Sequence, residues 1–161
     1  MAESVKKIQQ IGEARKKIST WKSAGETVVF TNGCFDILHL GHVDYLERAA
    51  LLGDRLVVGL NTDESVTQLK GMGRPIQNQE TRSRLLAALS SVDMVVLFGE
   101  KTPLNLITEL LPDVLVKGSD YLAENIVGAE VVKNAGGRVE TLDFIEGHST
   151  SQIIERIKKL N

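Results

Sequence analysis

The sequence predicts an α/β protein built on a doubly wound parallel sheet of five strands, with helices on both faces. Three observations predict it. Short apolar runs alternate with amphipathic stretches along the whole chain, a pattern that calls for a parallel sheet. Residues 55–60 are apolar nearly throughout, as a strand covered on both faces has to be. Polar clusters follow the strands at their carboxyl ends, where ligands of such sheets bind.

Each element has a local reason. Residues 3–24 read as one helix, because Ile11, Ala14, Ile18 and Trp21 recur at helical spacing opposite a face of Lys6, Lys7, Arg15, Lys16 and Lys17. Gly25 stops it. This helix, within residues 1–25, is expected to pack on a domain formed by residues 26–161. A first strand covers 27–31, and after a polar loop a helix covers 41–52 with Val43, Leu46 and Ala50 inward. Gly53 and Asp54 close it. The 55–60 strand ends at Asn61, Thr62 and Asp63. Residues 70–77 hold two glycines, a proline and two cations, and form a loop. A helix over 78–91 with Leu85, Leu86 and Leu89 inward leads to a strand over 93–98. Thr102 then caps a helix with Pro103 at its first position and a stripe of Leu104, Ile107 and Leu111. Pro112 and Asp113 break it. A strand over 114–116 runs into residues 117–121. A helix at 129–134 ends at Gly136 and Gly137, and a strand covers 138–142. A last helix, introduced by residues 146–150, turns Ile153, Ile154, Ile157 and Leu160 inward.

Composition narrows the function classes. The 161 residues suffice for one domain with a sizeable core. The net charge of −2 implies no general affinity for nucleic acid or membranes, so any basic site must be local. No apolar run approaches the ~18 residues of a membrane span, and the first residues lack the apolar core of a secretion signal. The one cysteine, Cys34, permits no intrachain disulfide. The expected location is the cytoplasm. No Gly-x-Gly-x-x-Gly follows the first strand, which excludes a dinucleotide-binding oxidoreductase of that type.

The loop over 31–42 carries the most chemistry. It joins a buried strand to the start of a helix, where free N–H groups and the helix dipole make an anion site. His39 and His42 stand three residues apart across that start, a spacing that can bring both rings to one side. Gly41 lets the backbone come close. Taken alone, the two histidines fit caps, surface residues or metal ligands as well as catalysts. Lys70 and Arg74, in the glycine loop, suit mobile cations closing over phosphates. Ser149 or Thr150 suits an N-cap.

His39-Leu40-Gly41-His42, preceded by Gly33-Cys34-Phe35-Asp36, resembles the HxGH nucleotidyltransferase superfamily. Within it the chain looks most like the single-domain adenylyltransferases that make ADP-heptose, over residue 27 to the end. The resemblance implies a Rossmann-like fold and direct transfer of AMP from ATP to D-glycero-β-D-manno-heptose 1-phosphate, releasing pyrophosphate for a lipopolysaccharide core precursor. It implies that His39 and His42 contact the triphosphate and stabilise the transition state, with Lys70 and Arg82 beside them. Thr31, Asn32, Gly33, Cys34, Phe35 and Gly41 border the nucleotide, Phe35 mainly as packing and Cys34 as a small apolar filler. Ser149 and Thr150 match a Ser-Thr-Thr motif that holds nucleotide phosphates, with Ser151 in place of the second threonine. The resemblance also implies nucleotide contacts from Lys117, Gly118 and Asp120, the last two meeting base and ribose or else the sugar hydroxyls, and acceptor contacts from Asp36, Asn61, Arg74 and Tyr121. The run Lys117-Gly-Ser-Asp-Tyr121 is similar to the heptose branch's Lys-Gly-Gly-Asp-Tyr, as are Gly73-Arg-Pro-Ile76 and Glu100-Lys-Thr-Pro103. Mg²⁺ is expected, bridged by phosphates and not held by protein ligands alone, with Asp36 as the one candidate ligand. A separate sugar kinase and a homodimer are also expected. Two alternatives stand beside this one: a cytidylyltransferase acting on glycerol 3-phosphate or another small phosphate, which the missing arginine before residue 147 argues against, and a non-catalytic nucleotide-binding module. His148 has no assigned role.

Overall fold

A computed structural model describes residues 2–120 and 125–160. Its elements, in chain order, are α1 (Glu3–Lys6), β1 (Ile8–Gln9), α2 (Ile11–Ser23), β2 (Val28–Gly33), α3 (Leu40–Ala50), β3 (Arg55–Asn61) and α4 (Asp63–Lys70), then α5 (Gln79–Ala88), β4 (Met94–Phe98), α6 (Leu104–Leu110), β5 (Val114–Gly118), α7 (Ala129–Asn134), β6 (Arg138–Leu142) and α8 (Thr150–Lys158). The strands form one parallel sheet of six, in the order β1-β4-β3-β2-β5-β6.

Alternate residues of each strand face opposite layers, so the sheet carries two cores. On one face Ala14, Ile18 and Trp21 of α2, Ile107 of α6 and Val132 of α7 pack on Val28, Phe30, Val57 and Leu115. On the other, Tyr45, Leu46 and Ala49 of α3 and Leu86 of α5 pack on Val29, Leu56, Val58 and Val116. This is the doubly wound α/β architecture that the alternation of elements called for.

The sheet has six strands, not five. Residues 3–24 are not one helix: the chain leaves α1 at Lys7, pairs Ile8 with Val95 at the edge of β4, and only then enters α2. Lys7 holds this detour, donating from Nζ to the carbonyls of Leu89 and Val92 beyond the end of α5. The helix α4 was also unforeseen. It is polar along most of its length, buries only Ser65 and Val66, and starts at Thr62, whose hydroxyl accepts from Ser65 N.

Three apolar stripes fall differently from expectation. Helix α6 has Pro103 at its N-cap and no side-chain cap from Thr102; Leu106, Ile107 and Leu110 face inward while Leu104 and Leu111 are exposed. In α5 Leu86 is buried, Leu85 exposed, and Leu89 packs at the core margin. Helix α8 buries none of its residues: Ile153 and Ile154 are half-buried, and Ile157 and Leu160 are 54% and 84% exposed.

The amino ends of the strands are pinned by aspartates. Asp54, Asp93 and Asp113 immediately precede β3, β4 and β5, and their carboxylates accept from the backbone N–H of Thr27, Leu56 and Val28. The carboxyl ends are thereby left free to diverge into loops. From β2 the chain moves outward through β3 to β4, then returns to β5 on the other side, so β2 and β5 flank the point where the winding reverses. That is where a doubly wound sheet opens its crevice.

Candidate active site

A cleft of about 640 Å³ lies at this point, a volume suited to a small ligand. It is lined from the β2 loop by Asn32, Gly33, Cys34, Phe35 and Asp36, from α3 by His39 and His42, and from beyond β3 by Asn61, Lys70 and Arg74. Lys117 and Gly118 line it at the end of β5 with Asp120 just beyond, and Ser149 and Thr150 at the start of α8. Residues that the sequence scatters over more than a hundred positions thus converge. Tyr121 lies outside the described residues.

The two histidines stack, ring centroids 3.7 Å apart and planes 21° from parallel. His39 is the N-cap of α3 in extended backbone, and His42 lies in its first turn. Phe35 meets the edge of His42 at 5.1 Å and 61°, and a Cβ on Gly33 would come within 2.9 Å of the Phe35 ring. Phe35 therefore acts as the packing residue expected of it. Burial, and then the charge of His39, push the His42 imidazole down to about 4. Burial, then His148, lower His39. His42 is therefore neutral at neutral pH. Nδ1 of both rings and Oδ1 of Asn32 are buried with no hydrogen-bond partner, a condition that polar atoms in folded proteins rarely tolerate without a ligand or water. Gly41 spaces the histidines: a Cβ there would sit 3.1 Å from His39 Nδ1 and 3.3 Å from His148 Cβ.

Arg82 departs most from expectation. It is fully buried and faces protein, not the cleft. Nη1 donates to the carbonyls of Cys34 and Asn61, Nε to that of Gln77, and Nη2 to Asp63 Oδ1. The guanidinium ties the histidine loop, the end of β3, the start of α4 and the 70–77 loop together, and Arg82 is not among the residues that line the cleft. Asp36 is committed in the same way. Its carboxylate accepts from Ile76 N, Gln77 N and, at 2.6 Å, Arg74 Nε, and these bonds hold it below the usual carboxylate range against its burial. It fixes the 74–77 segment at the edge of the cleft. Thr31 is likewise buried under the cleft, its hydroxyl 2.9 Å from Tyr45 Oη.

The remaining candidates border the cleft. Asn61 donates to Ser65 Oγ at 2.9 Å. Burial raises the Cys34 thiol, with Lys70 and Arg82 opposing it. Burial lowers the Lys117 ammonium to about 8, with Asp120 pulling the other way. Ser149 is the N-cap of α8, accepting from Gln152 N, and Thr150 Oγ1 donates to Ile37 O. The α8 N-terminus thus faces the same space as the histidines. Ser151, the stand-in for the motif's second threonine, also lines the cleft, as do His148, Tyr45, Leu69 and Phe144, which had been given no role. Phe144 carried a usable signal, since it stands just past β6, on the carboxyl side of the sheet. Tyr45 carried a weaker one, four residues after Gly41 on the same helical face.

The fold and this cleft define a nucleotide-handling α/β protein, and comparison with known proteins agrees. The chain belongs to the cytidylyltransferase-like family, whose model matches residues 30–156. It is 53% identical over 151 residues to the bifunctional protein HldE of Magnetococcus marinus, and 55% identical over 155 residues to that of Citrifermentans bemidjiense. These alignments cover 94% and 96% of this chain but 31% and 32% of the relatives, so the chain spans about a third of their length. A crystal structure of the lipopolysaccharide core biosynthesis protein from Thermoplasma volcanium superposes with a TM-score of 0.62 at 30% identity, covering 77% of this chain and all of that one.

Proposed function

We propose that the chain is an adenylyltransferase that joins ATP to D-glycero-β-D-manno-heptose 1-phosphate, giving ADP-heptose and pyrophosphate. The stacked pair His39 and His42, beside the α8 N-terminus at the winding reversal, carries this reading. An oxygen of the sugar phosphate attacks the α-phosphorus, and the bond to the β-phosphate oxygen breaks. That oxygen keeps the electron pair, and pyrophosphate leaves. The attacking phosphate is already ionised, so the step needs alignment and charge neutralisation more than a strong base.

The roles follow from chemistry and position. The imidazoles of His39 and His42 donate N–H groups to the triphosphate as charge builds in flight. Backbone N–H groups at the start of α8 hold the phosphates, with Ser149 and Thr150 fixing that turn. Lys70 and Arg74 neutralise the acceptor phosphate from the β3 side, and Lys117 the nucleotide from the β5 side. Asp36 and Arg82 act as positioning residues that set the loops carrying these groups. Among the described residues no three His, Cys, Asp or Glu side chains converge as a cation site. A Mg²⁺ arriving with the nucleotide would neutralise charge on its phosphates. The relatives are named bifunctional and are about three times as long; a sugar kinase would work in the supply of the sugar 1-phosphate.

Pyrophosphate release tests the reading, with ATP or CTP against the heptose phosphate and glycerol 3-phosphate. Turnover with ATP and the heptose phosphate alone is expected, and His42→Ala should lower it at least ~100-fold, on the scale of losing one transition-state donor. Turnover with CTP and glycerol 3-phosphate alone would keep the site and overturn the substrate. ATP binding without turnover on any acceptor would mark a binding module.

A further inference from the structure

Of the four phenylalanines, Phe30, Phe35 and Phe98 are at most 6% exposed, whereas Phe144 is 47% exposed at the cleft. The ring's open side borders the cleft, and its other contacts hold it in place. It stacks on Tyr45 at 5.1 Å with the planes 27° apart. Tyr45 is buried, and its hydroxyl is tied to Thr31 on β2. Gly118 leaves room for the ring: a Cβ there would overlap Phe144 and lie 2.6 Å from Asp120 Oδ1. Arg48 of α3 donates to the Asp143 carbonyl, fixing the residue before it.

The two ends of the cleft differ in chemistry. Beyond β3 stand the cations Lys70 and Arg74, which suit a charged phosphate. At the ends of β5 and β6 stand an aromatic face and the Asp120 carboxylate, with Lys117 beside them, which suit a flat ring with an amino edge joined to a phosphate. The phosphate-holding histidines and α8 lie on the same cleft. We propose that Phe144, propped on Tyr45 and Gly118, is the stacking platform for the nucleobase, with the Asp120 carboxylate at the base's edge. The proposal rests on the nucleotidyl-transfer reading above. It makes Phe144 a specificity-determining residue, because stacking between aromatic planes rewards a base and gives a bare phosphate chain nothing.

Calorimetric titration with Mg-ATP and with Mg-tripolyphosphate isolates the base from the phosphates. In Phe144→Ala the affinity for ATP should fall about tenfold or more while that for tripolyphosphate stays within about twofold. Phe144→Trp should restore ATP binding, and Gly118→Ala, which displaces the ring, should mimic Phe144→Ala. In turnover, the KM for ATP should rise in Phe144→Ala and the KM for the sugar phosphate should not. Unchanged ATP affinity, equal losses for both ligands, or a rise confined to the sugar phosphate KM would overturn the platform. A wild type that binds ATP yet releases no pyrophosphate would sink the functional reading and leave the platform standing.

Discussion

Two imidazoles stacked at 3.7 Å cannot both carry a proton cheaply, and burial sharpens the cost. His42 in the folded protein refuses a proton until about pH 4, whereas the unfolded side chain accepts one near 6.5. Between those values the unfolded state binds more protons, so stability falls as the pH is lowered through the window. Urea midpoints measured from pH 7 to 4 should therefore decline less steeply in His42→Gln than in the wild type; equal declines would contradict the assignment. The knot at Arg82 gives a second residue-scale prediction. Arg82→Ala strands the carbonyls of Cys34, Asn61 and Gln77 and the Asp63 carboxylate, and should cost ~3 kcal/mol or more of unfolding free energy by urea titration. Unchanged stability would return Arg82 to the phosphate-contact role expected from resemblance. His39, Gly41 and His42 were legible in the sequence because their relation is local, within one helical turn. Arg82 and Asp36 were not, because their partners lie up to 48 and 41 residues away and only the fold brings them together.

At the scale of elements, the sheet is organised by its ends. The aspartates before β3, β4 and β5 accept N–H groups of the neighbouring strands at the amino edge, opposite the cleft. Asp93 accepts from Leu56 N at 2.8 Å and also meets Arg55 at 3.3 Å. Asp93→Ala leaves a buried strand N–H unpaired and should cost ~1–3 kcal/mol in unfolding while KM for both substrates stays unchanged. A change in KM with no loss of stability would show that this edge communicates with the cleft. The core strands were legible because each is a short apolar run between turn residues. Strand β1 was not, since a two-residue strand leaves no period to read. Helix α4 hid for a similar reason, with one turn's worth of burial in a polar stretch. The inward stripe expected of α8 failed because periodicity shows that a face is apolar and not that something covers it.

For the whole molecule, the winding order does the assembling. Strand order is not written in any one segment, but right-handed crossovers and alternating elements restrict it to few arrangements, and the observed one opens its crevice between β2 and β5. The net charge of −2 is compatible with a polyanion site because the cations Lys70, Arg74 and Lys117 gather at that crevice. Burial pushes the Cys34 thiol up and so disfavours its thiolate at neutral pH. The proposed step is direct transfer between two bound anions. The stereochemical course at the α-phosphorus tests it most directly, using ATP made chiral there by a phosphorothioate oxygen and sulfur and following the sugar nucleotide product. A single in-line displacement predicts inversion of configuration. Retention would require a covalent nucleotidyl-enzyme intermediate and would contradict the account.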